Sequence, residues 1–252
     1  MSLPLSTFPA WGRKIVAIGR NYAEHAKELG NAVPTTPFFF LKPTSSYVTS
    51  YSTNPTIEIP KGSNVHHEVE LAVVIGANGR DISEATAMRH VEGYALAIDA
   101  TARDLQDEAK KAGKPWSTAK GFDTFTPIGD FIPKTMIEDP DALTLWLKVN
   151  DTVKQNGPTS DMIFKIPQLI SYVSSIMTLE RGDVILTGTP AGVGRMNPGD
   201  IVTCGLRTTG SDRDIFNMKF SVVERPGIGL YGNGRQCTII LSKIHFKYMW
   251  RK

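Results

Sequence analysis

Two glutamates stand two residues apart in the segment NVHHEVELAVVIG, at the start of an apolar run. That run is typical of a buried strand, and alternate side chains of a strand share one face about 7 Å apart. Buried carboxylates need neutralisation by bases or by a cation, because an isolated buried charge is costly. The spacing of Glu68 and Glu70 is therefore consistent with a salt-bridged strand end or with a metal site.

A third acid, Asp99, ends the apolar segment YALAID directly before a predicted helix. An aspartate at such a position is usually a helix cap. Together with Glu68 and Glu70, however, it completes a set of three hard oxygen donors that requires no clustered histidine or cysteine. Such a set favours Mg²⁺ or Mn²⁺ over Zn²⁺, and Mg²⁺ usually keeps positions open for substrate.

His25 and Glu28 lie three residues apart in GRNYAEHAKELG, within a short helical pattern. Side chains at this spacing are neighbours on a helix. A carboxylate beside an imidazole orients the ring and raises its basicity, which makes a general-base pair. The alternative is an ordinary surface contact between a histidine and a glutamate.

Other polar side chains could contact a substrate. Arg103 and Gln106 share one face of a predicted helix and could clamp a carboxylate, although a solvated helix face is the common alternative. Lys120 follows an irregular stretch and is a candidate electrophilic lysine. The segment LTGTPAGVG, residues 186–194, matches neither a phosphate loop nor a dinucleotide-binding turn, and predicts a tight turn that brings Thr189 near a ligand.

The elements that would position these residues are mainly strands. Apolar runs bounded by turn residues predict strands at 14–19, 37–43, 68–76, 92–99, 143–150 and 182–188, with two more in DIVTCGL and IFNMKFSVVE. Helical patterns run from Ser83 to Gly93, from Thr101 to Gly113, and from 166 to a stop at Gly182. Because helices are few and do not alternate with strands, the sequence predicts a mostly β, α+β fold in one domain.

Composition excludes several classes of function. The chain has 252 residues, 41% hydrophobic and 21% charged, which is ordinary for a globular protein. No apolar run approaches the length of about 20 residues needed to cross a bilayer, so we expect no membrane span. The net charge of +3 comes from residues 228–252, which hold five of the 28 basic residues and none of the 25 acidic ones. The remaining 227 residues carry −2 and predict no nucleic-acid interface.

The cysteines and the N-terminal composition give indirect indications of the cellular compartment. Two cysteines, Cys204 and Cys237, form neither a disulfide framework nor a zinc site, which favours a reducing environment. The first acid is Glu24, and the segment before it is rich in hydroxyl residues. That composition resembles a mitochondrial presequence, although only Arg13 and Lys14 precede the first strand pattern.

The motifs taken together resemble the fumarylacetoacetate hydrolase family. The segments that carry the resemblance occur in order from about Gly12 to Pro226: GRNYAEHAKELG, FLKP, HHEVELAVVIG, GYALAIDATARDLQ, KPWSTAKGFDTFTPIG, NGPTSDMIF and GDVILTGTPAGVG. Within the family they are most similar to the acylpyruvase branch, which also acts on oxaloacetate. The resemblance implies a rolled, mixed β-sheet with short flanking helices and a lid helix, a homodimer, and one Mg²⁺, replaceable by Mn²⁺, per subunit.

The resemblance also implies roles for individual residues. Glu68, Glu70 and Asp99 match the metal ligands. His25 and Glu28 match the catalytic dyad on the lid helix, and Lys120 matches a lysine beside the substrate. Four further residues match substrate contacts: Arg20, Arg103, Gln106 and Thr189.

The implied chemistry is cleavage of the C3–C4 bond of acylpyruvates, with decarboxylation or tautomerisation of oxaloacetate through a shared enolate. Small 2-oxo acids are then the expected partners, and the mitochondrial matrix is the expected location. Two alternatives stay open. One is an isomerase or decarboxylase of 2-oxo acids from aromatic degradation, and the other is a catalytically inert, metal-bound scaffold.

Two segments depart from the family pattern. Residues 204–220 are longer and more polar than the family hairpin, which predicts an extended loop in the last sheet. Residues 228–252 match nothing in the family, which sets the expected boundaries at 1–227 for a catalytic domain with a short N-terminal arm and 228–252 for an atypical basic tail.

Overall fold

The computed structural model describes residues 3–28 and 33–226. The predicted basic tail at 228–252 lies outside the described residues. Within them, short elements follow one another closely, and strands outnumber helices. The prediction of a mostly β fold with short flanking helices is confirmed.

The described residues form sixteen strands, five α-helices and four 3-10 helices. The strands are β1 Ile15–Ile18, β2 Phe39–Lys42, β3 Tyr47–Thr49, β4 Thr56–Ile59, β5 Val65–His67, β6 Val69–Ile75, β7 Val91–Ile98, β8 Thr101–Ala102, β9 Thr126–Ile128, β10 Ile132–Pro133, β11 Leu143–Val149, β12 Thr152–Pro158, β13 Val184–Leu186, β14 Gly194–Arg195, β15 Ile201–Thr208 and β16 Asp214–Glu224. The α-helices are α1 Ala23–Glu28, α2 Glu84–Ala87, α3 Arg103–Lys111, α4 Ser117–Lys120 and α5 Ile166–Ile176. The 3-10 helices are Leu5–Ala10, Thr44–Ser46, Lys134–Met136 and Thr159–Asp161.

Two mixed sheets and one small antiparallel sheet contain these strands. An eight-stranded sheet has the order β2-β1-β13-β6-β7-β9-β3, with β10 paired to β7. A five-stranded sheet has the order β12-β11-β15-β16-β4, and a three-stranded sheet the order β14-β5-β8. The β1/β13, β3/β9 and β4/β16 pairs are parallel. Strand β6 contains Glu70 and follows Glu68, and β7 leads to Asp99. Both strands lie inside the largest sheet.

Both faces of the central strands of the eight-stranded sheet are buried. Leu71 and Val73 of β6 point into the main core, together with buried residues of the five-stranded sheet and of α5. Their neighbours Ala72 and Val74 point to the opposite face, which Phe8 of the first 3-10 helix covers. Because alternate residues of a strand face opposite sides, a continuously apolar run such as VELAVVI signals a strand buried on both faces.

Two predicted helices are shorter than their sequence patterns. Helix α2 stops at Ala87 instead of reaching Gly93, because β7 begins at Val91 and pairs there with Ile75 of β6. Helix α5 ends at Ile176 instead of continuing towards Gly182, which lies in the turn before β13 with φ +87°. Pairing of strands in the central sheet outweighs the weak helical preference of these ends.

The extended loop predicted within residues 204–220 is not present. Strands β15 and β16 form an antiparallel hairpin that residues 209–213 connect, with a register shift beside Arg207, which pairs with Asp214. Several polar residues of the segment sit on strands with an exposed face, so the polarity of the segment overstated the length of the loop.

No helix in the described ranges has the length and apolar character needed to span a bilayer.

Candidate metal centre and active-site cleft

Three buried carboxylates lie at one end of the central β6/β7 pair. Glu68 occupies the break between β5 and β6, Glu70 lies on β6, and Asp99 follows β7. The antiparallel register places Val69 opposite Ile98, and the Asp99 amide donates to the Glu68 carbonyl at 2.8 Å. One oxygen from each carboxylate lies within 4.8 Å of the others, and the three residues are 6%, 1% and 2% exposed. The structure thus brings together the three acids that the sequence singled out.

Three cationic side chains neutralise two of these acids. The Lys120 ammonium donates to Glu68 Oε2 at 3.0 Å and to Asp99 Oδ2 at 2.5 Å. Lys42 forms an ion pair with Asp99 Oδ1, and Arg103 Nη2 donates to Glu68 Oε1 at 2.5 Å. Burial alone would raise the pKa of Glu68, but Lys120 and Arg103 hold it well below its usual range.

Glu70 differs from its two neighbours. Its Oε2 accepts a hydrogen bond from the Gly188 amide at 2.7 Å, and no cationic side chain in the described part of the chain lies within ion-pair distance of it. Burial, with the negative charges of Asp99 and Glu68, raises the pKa of Glu70 well above its usual value. A buried carboxylate in this position must bind either a proton or a cation.

The donor set fits a hard divalent cation. Three carboxylates converge within reach of one ion, they offer only oxygen, and Glu70 lacks a positive partner. Oxygen ligands of this kind are those preferred by Mg²⁺ and Mn²⁺.

His25 and Glu28 lie together on α1, as their spacing predicts. His25 Nδ1 is 3.3 Å from Glu28 Oε2, and His25 itself is buried. The Glu28 carboxylate also accepts from the Gly192 amide, at 3.2 Å to each oxygen. Gly192 has φ +96°, and a Cβ there would lie 2.0 Å from the Lys154 carbonyl oxygen, so this close approach requires glycine.

The segment from Gly188 to Gly192 therefore connects the two groups. Its first amide binds Glu70 of the acidic triad, and its last amide binds Glu28 of the dyad. The triad and His25 line one cleft. The other residues around it are Ile18, Gly19, Arg20, Phe40, Arg103, Gln106, Lys110, Trp116, Lys120, Gly188 and Thr189.

Arg103 and Gln106 are adjacent in the cleft, but Arg103 is already engaged. Its Nη2 binds Glu68 and its Nη1 donates to Gln106 Oε1 at 2.7 Å. Because the Gln106 oxygen accepts this bond, the amide nitrogen of Gln106 is the end left to donate into the cleft. The arrangement favours Arg103 as the group that holds Glu68 and orients Gln106.

Thr189 belongs to a buried polar network. Its hydroxyl donates to the Val69 carbonyl at 2.7 Å and accepts from Gln155 Nε2 at 2.8 Å. Gln155 Nε2 also donates to the Pro190 carbonyl, so its Oε1 accepts from the Val69 amide and from His67 Nδ1. The network joins the turn after β13 to the strand that carries Glu70.

Sequence reasoning missed two of these positioning residues. Lys42 is fully buried beside Asp99, and also donates to the Phe125 carbonyl at 2.7 Å. A lysine inside the apolar segment PFFFLKP was the available signal, because an unpaired lysine is almost never buried. Gln155 gave no comparable signal, since it lies among polar residues of β12.

Comparison with known proteins agrees with this geometry. The family model described as fumarylacetoacetate (FAA) hydrolase C-terminal matches residues 14–217. The chain is 55% identical over 222 residues to the mitochondrial oxaloacetate decarboxylase of Dictyostelium discoideum, covering 88% of this chain and 99% of the relative. It is 60% identical over 196 residues to the mitochondrial oxaloacetate tautomerase FAHD1 of Arabidopsis thaliana, covering 77% and 86%.

Solved structures give the same result. A yeast fumarylacetoacetate hydrolase family protein superposes with a TM-score of 0.80 at 40% identity, covering 90% of this chain and 99% of that one. The fumarylpyruvate hydrolase of Pseudomonas aeruginosa, solved with Mn²⁺ and pyruvate, gives a TM-score of 0.77 at 34% identity, covering 84% and 90%. Sequence, fold and relatives together place the chain in the fumarylacetoacetate hydrolase family.

Proposed function

We propose that this chain is a Mg²⁺-dependent enzyme, with Mn²⁺ as a substitute, that acts on small 2-oxo acids. Its reactions are tautomerisation and decarboxylation of oxaloacetate, and hydrolysis of the C3–C4 bond of acylpyruvates. The observation that carries the proposal is the buried triad in which Glu70 has no cationic partner among the described residues. The names of the relatives and the Mn²⁺–pyruvate complex of a family member support it.

Glu68, Glu70 and Asp99 would hold the cation. When bound, the cation supplies Lewis-acid stabilisation of negative charge that develops on the 2-oxo oxygen of the substrate. Lys120 lies against two of the three carboxylates and presents its positive charge at the same end of the cleft. Its ammonium therefore adds electrostatic stabilisation in a buried site, where such an interaction is stronger than in water.

His25 acts as the general base in hydrolysis, supported by Glu28. The imidazole removes a proton from water, the resulting hydroxide attacks the distal carbonyl, and the C3–C4 bond breaks. The electron pair of that bond passes to the pyruvate fragment as an enolate, which takes a proton at C3. The products are pyruvate and a carboxylic acid.

Oxaloacetate needs no water nucleophile. In decarboxylation the C3–C4 bond breaks, CO₂ leaves, and the same enolate takes a proton at C3. In tautomerisation His25 moves a proton between C3 and the 2-oxo oxygen without breaking a C–C bond. One electrostatic centre and one proton-transfer group therefore serve all three reactions.

The remaining cleft residues bind and position. Arg103 holds Glu68 and orients Gln106, whose amide nitrogen donates to the substrate. Thr189 fixes the turn that supplies the Gly188 amide to Glu70, and Arg20 lines the cleft near its mouth.

The proposal extends to the setting of the enzyme. The relatives from Dictyostelium discoideum and Arabidopsis thaliana are named as mitochondrial, which supports a mitochondrial location for this chain. We also propose that it acts as a homodimer and that residues 1–227 form the catalytic domain, with the basic segment 228–252 outside it. Light scattering during size-exclusion chromatography would test the dimer by giving twice the mass of one chain.

Metal-dependent turnover tests the function. The chain is stripped with EDTA and assayed with and without Mg²⁺ for pyruvate release from oxaloacetate and acetylpyruvate, and for loss of the enol absorbance of oxaloacetate. Activity on both substrates that appears only with Mg²⁺ is the expected result. Metal-independent turnover, or none, would overturn the proposal.

One further substrate separates the alternative reactions. The chain is similar to the 5-carboxymethyl-2-hydroxymuconate delta-isomerase of Mycobacterium smegmatis, with 38% identity and a TM-score of 0.71. A hydroxymuconate-type dienoate is therefore included in the same assay. Faster turnover of that compound than of oxaloacetate would assign the chain to the aromatic-degradation class.

A further inference from the structure

We propose that Lys110 and Arg20 form a second anion subsite, at the mouth of the cleft, that binds the distal carboxylate of a dicarboxylic 2-oxo acid. The inference rests on the proposed function and specifies its substrate class. The subsite would make the enzyme prefer four-carbon dianions to acylpyruvates with an apolar acyl group. It assigns a specificity role to Lys110, which had no role in the sequence analysis.

The cations around the cleft divide into two groups. Lys42, Lys120 and Arg103 are buried and form ion pairs with Asp99 or Glu68. Lys110 and Arg20 line the same cleft but contact none of the three carboxylates. The second group is therefore available to a substrate.

Lys110 has one weak ionic partner. It lies in the last turn of α3, its side chain is 29% exposed, and its ammonium is 3.4 Å from the more exposed Asp107. An exposed pair at that distance contributes little free energy. A substrate carboxylate can therefore share or replace Asp107 at low cost.

Arg20 has no acidic partner among the described residues. It follows β1 with φ +57°, a left-handed conformation that an ordinary residue adopts at an energetic cost. Strain of this kind is concentrated at functional sites. The backbone here directs a half-buried arginine to the cleft wall and not to solvent.

Arg20 and Arg103 place further positive charge around Lys110. Burial is the main cause that lowers the pKa of Lys110, Asp107 opposes it, and the positive charges of Arg103 and Arg20 add to the lowering. Like charges held in one partly buried place favour an anion between them.

An aromatic cluster fixes these positions relative to the inner end of the cleft. The Lys110 ammonium lies 5.7 Å from the Trp116 ring centroid, and the Arg20 guanidinium lies 5.5 Å from that of Phe38. Trp116 packs edge-on against Phe38 and at 5.3 Å from Phe40, over which Lys120 lies at 4.9 Å. Cation–aromatic contacts of this kind hold the side chains in place.

The substrate class follows from this arrangement. A cation held by the triad would attract the carboxylate and 2-oxo oxygen of a 2-oxo acid, which would leave the other end of the substrate towards Lys110 and Arg20. Oxaloacetate has a second carboxylate at that end, whereas acetylpyruvate has a methyl ketone. The subsite therefore favours the dianion.

Lys110→Met tests the subsite, with Lys111→Met as the matched control. Lys111 is the next residue of α3, is exposed, and is not part of the cleft. We expect Lys110→Met to lower kcat/KM for oxaloacetate about 10-fold, mainly through KM. A hydrogen bond to a charged group typically contributes enough binding free energy to change affinity by about that factor. The value for acetylpyruvate falls about threefold or less, and Lys110→Arg restores oxaloacetate use. Equal losses for both substrates, or failure of arginine to rescue, would overturn the proposal.

Binding provides a readout that does not depend on turnover. L-malate and L-lactate are unreactive 2-hydroxy acids that differ by the distal carboxylate. Calorimetry with Mg²⁺ is expected to show that the wild-type chain binds malate more tightly, and that Lys110→Met loses most of this difference. Equal affinities in the wild type would refute the subsite. Absence of Mg²⁺-dependent turnover in the wild type would instead refute the proposed function, and the malate–lactate comparison would still decide the subsite.

Discussion

The acidic triad of the cleft lies at the end of two central strands, whereas the dyad lies on a helix of 6 residues. Glu68, Glu70 and Asp99 are buried, and antiparallel pairing of β6 with β7 fixes the backbone around them. Glu28 is a contrast: its side chain is 35% exposed, and its described contacts are His25 and the Gly192 amide.

This difference separates two tasks. A buried set of charges on paired strands is preorganised, and its ions do not have to rearrange during reaction. A short helix held by a few partly exposed contacts opens at much lower cost than the core. Lesions at the inner end should therefore abolish every reaction. Lesions in the dyad should affect hydrolysis and tautomerisation, in which His25 transfers a proton, more than decarboxylation.

The largest effect is expected for Glu70→Ala. The substitution removes the carboxylate that has no protein cation, and with it the third ligand for the ion. Hydrolysis, decarboxylation and tautomerisation should fall together by about 10³-fold or more, because each depends on the same charge stabilisation. Steady-state assays of all three reactions measure this.

Glu92→Ala is the matched control for that change. Glu92 is an exposed residue of β7, the strand that leads to Asp99, and lies outside the cleft. The variant at position 92 should retain all three activities. Loss of one reaction with retention of another in Glu70→Ala would contradict a single shared centre.

His25→Asn should have the next largest effect. Removing the base should reduce acylpyruvate hydrolysis by about 10²–10⁴-fold, the usual contribution of general acid–base catalysis. Decarboxylation should lose much less, and Mg²⁺ affinity should be retained. If the variant hydrolysed acetylpyruvate at the wild-type rate, the assignment of the dyad would be wrong.

Glu28→Gln and Glu28→Ala together sharpen the role of the carboxylate. An amide oxygen at position 28 can still accept from Gly192, but it no longer supports a positive imidazole. We expect hydrolysis to fall about 10-fold in Glu28→Gln, with a further loss in Glu28→Ala, as both contacts disappear. Comparing kcat for the two variants measures each contact. Identical losses would mean that the Gly192 contact has no role.

The smallest effect concerns stability in the absence of metal. Because the pKa of Glu70 is raised, the folded chain keeps a proton that the unfolded chain has released. The free energy of unfolding should therefore fall as pH rises from the usual carboxyl value through the raised one, by at most about 1.4 kcal/mol per pH unit. Urea unfolding of the EDTA-treated chain across that range, beside Glu70→Gln, measures the slope. Parallel slopes in the two proteins would contradict the raised pKa.

The inner end was the more predictable region from sequence. Glu68, Glu70 and Asp99 stand at the margins of strongly apolar runs. Each alone is consistent with a salt bridge or a helix cap, but the three together form a set of hard oxygen donors that favours a metal site. The central strands were predicted because an apolar run between turn residues has few alternatives.

Regions whose structure depends on pairing between strands were less predictable from the sequence. Strand β12, TVKQNGP, was missed because its residues are mostly polar, although Asn150 and Asp151 form the positive-φ turn of a hairpin at φ 48° and 64°. Gln155 lies on that strand, so its link to Thr189 was missed as well. The lengths of α2 and α5 were overestimated because helical periodicity does not show where a competing strand begins.

Calorimetric titration of the EDTA-stripped chain with Mg²⁺ tests the central claim most directly, with Glu70→Gln as the comparison. The account predicts one ion bound per chain in the wild type and loss of that binding in the variant, since the amide keeps the shape of Glu70 but removes its charge. A wild-type chain that binds no Mg²⁺, or a variant that binds it equally well, would contradict it.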